Sequence, residues 1–186
     1  MAEIEIVAPD RTWPDQFAAI HHALDAGLGD LALRIDHIGS TSVAGLAAKD
    51  IIDVQITTND LGAATVTLTE LGYTHKPGLT DLLVGCEDPQ QLVKEVFSGR
   101  PGDRAANIHV RIAGRRNQRY ALLFRDYLRA DPVVRDAYGL LKERLAALYP
   151  DDVEGYYDIK DPVMDMIYRG AEAWAAATGW DGAAVP

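Results

Sequence analysis

The chain has 186 residues, of which 48% are hydrophobic and 25% charged, the balance of one globular domain with a sizeable core rather than of a disordered chain. Its formal net charge of −10 disfavours general binding to nucleic acid or anionic membranes, and no apolar run approaches the roughly 20 residues that span a bilayer. One cysteine, Cys86, excludes an internal disulfide framework and a cysteine-rich zinc site, and the acidic start Met1-Ala2-Glu3-Ile4-Glu5 lacks the plan of a signal peptide, so a cytoplasmic protein is expected.

Residues 4–7 alternate apolar and acidic and read as a short edge strand or a pairing arm. Trp13-Pro14 opens a helix to about Leu28, with Phe17, Ile20, Leu24 and Leu28 on one face. Strands are expected over residues 33–38 and 51–57, the second almost continuously apolar and β-branched, as a buried strand is. Between them, residues 39–49 place glycines and hydroxyls first and helix-friendly alanines after, so a helix ending at Lys49 is expected. Asn59-Asp60 caps a helix over 61–71 that Gly72 ends. Short strands follow over 73–76, 81–84 and 92–97, the last also readable as helix, then a turn or mobile loop over 98–104 and a strand over 108–112. A helix over 120–130 stops near Asp131-Pro132. Val134, Ala137, Tyr138, Leu141, Leu145 and Leu148 then keep helical spacing, and a last helix covers roughly 152–178. The sum is one α+β domain, a mixed sheet over about 30–115 with flanking helices and a helical C-terminal third over about 117–178. That helical third packs on its own sheet or on a neighbour, which leaves an oligomer open.

Charge is unevenly spread. Residues 100–129 hold eight arginines against Asp103 and Asp126, a local +6 that leaves −16 for the rest. Such a concentration suits a compact phosphate or carboxylate site, or pairing with acids on solvated helix faces. The strongest local pattern is His37-Ile38-Gly39-Ser40-Thr41-Ser42 followed by Asp53-Val54-Gln55. Gly39 lets a ligand approach the backbone, while Ser40, Thr41 and Ser42 offer hydroxyls beside the expected helix start, a combination that suits phosphate. An aspartate on the adjoining strand can hold Mg²⁺ against such phosphates. The commonest other reading of a Gly-Ser turn is a capped helix, and no G-x-x-x-x-G-K-[ST] loop is present.

His109 alternates onto the same strand face as Arg111 and reads as a general base, a phosphate donor, a soft-metal ligand or a buried structural histidine. His37, just before the turn, reads as a brace for it. Lys49 answers a helix end or reaches a phosphate. Arg125 and Arg129 share a helix face, with Arg119 off it. Lys160 follows Tyr156-Tyr157, which read as packing residues or a cleft wall. Cys86 lacks a basic activating pattern.

The run Arg34-Ile35-Asp36-His37-Ile38-Gly39-Ser40-Thr41-Ser42-Val43-Ala44-Gly45-Leu46-Ala47-Ala48-Lys49-Asp50-Ile51-Ile52-Asp53-Val54-Gln55 resembles the signature of the GrpB family. It is especially similar to the GrpB-like domain fused behind dephospho-CoA kinase in actinobacteria. A second matching block is Asn107-Ile108-His109-Val110-Arg111, continuing through Tyr120-Ala121-Leu122-Leu123-Phe124-Arg125-Asp126-Tyr127-Leu128-Arg129. The resemblance runs from Trp13 to about Ala173 and, without a Walker loop, implies the GrpB-like domain without the kinase.

It further implies a nucleotidyltransferase-like fold of the polymerase-β type, with Gly39 and Ser40 at the Gly-Ser turn and Asp53 as first carboxylate. Active members of that superfamily carry a second acid two residues on, where this chain has Gln55, and a third on a later strand, where it has His109 and Arg111. The implied site is therefore Asp53 and His109 for catalysis and Asp53 with Gln55 for Mg²⁺. Gly39, Ser40, Thr41, Ser42, Lys49, Arg111, Arg119, Arg125 and Lys160 would hold phosphates. Two functions follow as expectations: nucleotidyl transfer from an NTP–Mg²⁺ complex to a small acceptor, including activation of its carboxylate, or a non-catalytic module. The module would hold a nucleotide or CoA-like ligand, pair with a kinase or assist folding.

Overall fold

The computed structural model describes residues 4–185; residues 1–3 of the acidic start, and residue 186, lie outside it. Trp13-Pro14 opens α1 (Trp13–Leu28), the proline falling in the first turn where its missing N–H costs nothing. The sheet has five strands, β1 (Arg34–Ile38), β2 (Ile52–Thr58), β3 (Thr74–His75), β4 (Lys94–Ser98) and β5 (Ala106–Ile112). Their order is β1-β2-β5-β4-β3, with β2 and β5 parallel at the centre and every other pair antiparallel. Helix α2 (Leu61–Glu70) joins β2 to the far edge, and α3 (Arg116–Ala130), α4 (Pro132–Leu148) and α5 (Val153–Thr178) follow the sheet.

Alternation along the central strands decides what each face does. Ile52, Val54 and Ile56 of β2 and Ile108 and Val110 of β5 are fully buried with Leu24, Leu28, Ala64 and Leu68 of α1 and α2. The intervening residues are polar on both strands, and the register sets Asp53 beside Asn107, Gln55 beside His109 and Thr57 beside Arg111. This polar face lies toward the layer of α3, α4 and α5, which has its own core of Val43, Leu46, Leu123, Leu128, Tyr138 and Ala171. The molecule is thus an α+β protein, a mixed five-stranded sheet with flanking helices. Among the described residues no helix is long and apolar enough to cross a membrane.

Two sequence expectations are corrected. Residues 39–49 form no helix: a single 3₁₀ turn, Ser40–Ser42, is followed by irregular chain. The Ser42 hydroxyl donates to the Gly39 carbonyl at 2.6 Å, Gly45 takes φ +84, and Ala48 pairs with Val7, so hydroxyl competition, a left-handed glycine and a bridge end the helix before it starts. Lys49 therefore closes no helix. Residues 81–84 form no strand, because Asp81 is held by side chains instead of a ladder. Of the two readings of residues 4–7 the pairing arm holds: Ile4 donates to the Pro150 carbonyl and packs on Leu145 and Tyr156, and Val7 pairs with Ala48. Smaller differences lie at ends, with α3 starting at Arg116 and β5 at Ala106. Residues 94–98 are strand, not helix.

Candidate functional site

A cavity of about 840 Å³ opens between the polar face of β2 and β5 and the helices α3, α4 and α5. Its floor begins at Gly39, whose φ is +68 and whose hydrogen side lies against Asp53; a side chain there would run into the Asp53 carboxylate. Asp53 Oδ1 accepts from Asn107 Nδ2 at 3.0 Å and lies 3.8 Å from His109 Nε2. Burial pulls the His109 imidazole below its ordinary value, more than the nearby Asp53 restores, and its Nδ1 is buried without a hydrogen-bond partner among the described residues.

The hydroxyls of the turn divide. Ser40 Oγ accepts from Lys142 Nζ at 2.8 Å and borders the cavity. Thr41 is buried, bonded to His37 Nε2 at 3.0 Å and to the Ile51 carbonyl, while the Ser42 hydroxyl is spent on Gly39. His37 stacks on Phe17 at 4.7 Å, and burial, helped by Arg129, lowers its pKa to about 4, which makes it a neutral brace.

The cationic residues also divide. Arg111 donates from Nε and Nη2 to both oxygens of Asp81, at 2.9 and 3.1 Å, and from Nη1 to Gln55 Oε1 at 2.7 Å. Lys94 and Asn117 complete the hold on Asp81, at 2.5 and 3.1 Å. Burial alone would raise the Asp81 pKa; Arg111 and Lys94 outweigh it and hold it at about 2. Arg125 borders the cavity, but its guanidinium is committed to the His37 carbonyl and to Asp126. Arg119 lies away from the cavity, paired with Glu172 at 2.6 Å and stacked near Trp180. Lys49 and Lys160 both reach it, each 5.0 Å from the Tyr157 ring, with Lys160 also 3.1 Å from Asp161.

Gln55, expected as a second metal ligand, is wholly buried. Its oxygen is taken by Arg111 and its nitrogen by the Gln118 carbonyl at 3.1 Å. Among the described residues no group of three or more His, Cys, Asp or Glu is placed to hold a metal. One carboxylate tied to an asparagine, with Lys94 and Arg111 nearby, does not fit a pair of magnesium ions. A single Mg²⁺ carried in by a ligand's own phosphates is the most that Asp53 suits.

Sequence reasoning missed Lys142, Lys94, Asp81 and Asn107. Lys142 left one trace: it lies four residues after Tyr138, inside the apolar stripe of α4. Asp81 left none.

The fold and the Gly-Ser cleft define an α+β protein with a ligand-sized cavity between a mixed sheet and a helical layer. The family model described as GrpB protein matches residues 3–170, and the chain belongs to the GrpB family. It is 35% identical over 197 residues to dephospho-CoA kinase of Mycolicibacterium paratuberculosis, covering 96% of this chain and 48% of that protein. The chain therefore spans about half the length of the dephospho-CoA kinases it matches. It is 34% identical over 172 residues to a UPF0157 protein of Halalkalibacterium halodurans, covering 92% and 84%. The crystal structure of the conserved protein GrpB from Enterococcus faecalis superposes with a TM-score of 0.74 at 28% identity, over 91% of this chain and 99% of that one.

Proposed function

We propose that the cleft binds a phosphate-bearing small molecule, a nucleoside triphosphate or a CoA-like compound, and that the chain acts as a binding module. The observation that carries this reading is the lining. Six basic side chains, Lys49, Lys94, Arg111, Arg125, Lys142 and Lys160, border one cavity of about 840 Å³ over the Gly39-Ser40 turn. Tyr120, Phe124, Tyr138, Tyr156 and Tyr157 supply an apolar wall that suits a nucleobase or a pantetheine arm. The polar face of β2 and β5 carries one carboxylate, Asp53, which argues for binding over two-metal transfer. The CoA-like alternative draws on the similarity to dephospho-CoA kinases, and pairing with such a kinase is part of the same proposal.

Calorimetric titration with ATP, CTP, GTP, UTP, CoA and dephospho-CoA, with Mg²⁺ and with EDTA, tests it. Saturable binding of at least one is expected, and no saturation by any of them in the millimolar range removes the proposal. A second reading, nucleotidyl transfer or carboxylate activation, is favoured by one feature: Asp53 and His109 face the cavity 3.8 Å apart, with His109 Nδ1 unpaired. There an acceptor oxygen attacks the α-phosphorus and pyrophosphate leaves. Under that reading Asp53→Asn and Ser40→Ala abolish pyrophosphate release; under the binding reading the wild-type chain releases none.

A further inference from the structure

Lys142 stands on the inner face of α4 and is 3% exposed. Its amine donates to Ser40 Oγ at 2.8 Å and to the Ala47 carbonyl at 2.5 Å, and it sits 4.7 Å from the centre of the Tyr138 ring. Two other lysines of the cleft have acids beside them, Lys94 with Asp81 and Lys160 with Asp161, whereas Lys142 makes no ion pair among the described residues. Two N–H bonds satisfy a neutral amine. The third proton of an ammonium has no oxygen to meet, only the face of Tyr138.

A buried cation without a counter-charge is costly, and the usual response is loss of the proton. The surroundings push the same way: burial first, then the Lys160 charge from α5, lower the Lys142 pKa to about 7, against weaker support from Glu143 on α4 and Asp53 on β2. Of the remaining polar or charged groups lining the cavity nearby, burial keeps Tyr138 and Tyr156 neutral, Lys49 is basic, and the acids are Asp161 and Asp165 of α5, neither bonded to Lys142 and Asp161 already paired with Lys160. The position is therefore one unit of negative charge short, at the wall of a cavity and against the Gly-Ser turn.

We propose that Lys142 and Ser40 form the anion subsite of the cleft, and that a phosphate group of the ligand supplies the missing counter-charge. This rests on the binding reading above and names the side chains that do the work. Because the amine sheds its proton readily when the subsite is empty and keeps it when an anion is present, binding above neutral pH takes up a proton. The interaction is made by the protein's own amine and needs no metal.

The experiment is calorimetry of the full chain with ATP and, separately, with CoA, both in EDTA at about pH 8, in HEPES and in Tris, whose ionisation enthalpies differ. Wild type is expected to take up a proton on binding whichever phosphate compound it prefers. Lys142→Met, close in shape and uncharged, is expected to bind about tenfold more weakly or worse and to take up none. Should wild type bind while Lys142→Met binds equally well with the same proton uptake, the subsite is refuted and the binding reading stands. Should wild type bind neither compound, both fall. Titration of isotope-labelled lysines in the unaltered chain guards against a misfolded variant: a buried lysine resonance that titrates near neutrality moves upward by a unit or more with pyrophosphate. A resonance that does not move refutes the subsite.

Discussion

Gly39 and Asp53 account for each other. The glycine holds φ +68, a region that L side chains enter at a cost, and the volume a side chain would fill is taken by the Asp53 carboxylate. Gly39→Ala is therefore expected to lose about 1–3 kcal/mol of stability, read as a lower urea midpoint; an unchanged midpoint would show that the turn relaxes freely. Arg111 is held more tightly still. Removing its guanidinium leaves Asp81 with Lys94 and Asn117 alone and strips the buried Gln55 oxygen of its donor. Arg111→Met is expected to cost about 3–5 kcal/mol, and Asp81→Asn a comparable amount, because its amide nitrogen would face N–H donors and Arg111 and Lys94 would lose their counter-charge. A negligible loss for either variant in chemical denaturation would contradict this account. Asp53 and Ser40 could be read from the sequence because strand, turn and strand are contiguous there. Asp81 could not, since it meets Arg111 from thirty residues away on an irregular loop that carries no local signal.

At the scale of elements, what proved legible is what periodicity encodes. Alternation placed His109 and Arg111 on one face of β5, and Asp131-Pro132 marked a real junction, whereas β2, read as almost continuously apolar, alternates Ile52, Val54 and Ile56 with Asp53, Gln55 and Thr57. Asp131 ends α3 and, through its Oδ1, accepts from the Val133 and Val134 amides at 3.1 Å each to start α4, with Pro132 in the first turn. Asp131→Ala should lower stability by about 1 kcal/mol and Asp131→Asn by much less, a difference that thermal melts resolve; equal melts would mean that the cap is idle. What proved illegible is competition between local preferences. Ala44, Ala47 and Ala48 favour helix, yet Gly45 and the Ser42 hydroxyl interrupt them and Ala48 is recruited by Val7 from the N-terminal arm. Composition carries no information on that long-range pairing.

Charge across the whole molecule is arranged otherwise than the arginine run implied. Arg125 and Arg129 donate to the carbonyls of His37 and Ser42, fastening α3 to β1 and its turn. Arg119 ties α3 to α5, and Arg104 reaches Asp50. These arginines assemble the layers, and of the eight in the run only Arg111 and Arg125 also border the cleft; the rest of its basic lining, Lys49, Lys94, Lys142 and Lys160, is isolated in sequence and brought together only by folding.

Burial of His37 and Lys142 and the cations around Asp81 make stability depend on pH in three windows. His37 titrates at about 4 in the folded chain against 6.5 ordinarily, and Asp81 at about 2 against 3.8. The unfolded chain thus binds more protons across both intervals, and stability falls as pH drops from 6.5 toward 4 and again below 3.8. Lys142 acts on the alkaline side: folded it loses its proton at about 7, unfolded near 10.5. Between those values the unfolded chain again binds more protons, so this residue makes stability climb with pH, by at most about 1.4 kcal/mol per unit. Urea midpoints of wild type and Lys142→Met at about pH 6.5 and 9 isolate that contribution without any ligand. The variant is expected to be the more stable at the lower pH and to lose its advantage at the higher one. Parallel profiles would mean that the amine stays charged inside the fold, and the counter-charge it lacks would have to be sought among the protein's own groups.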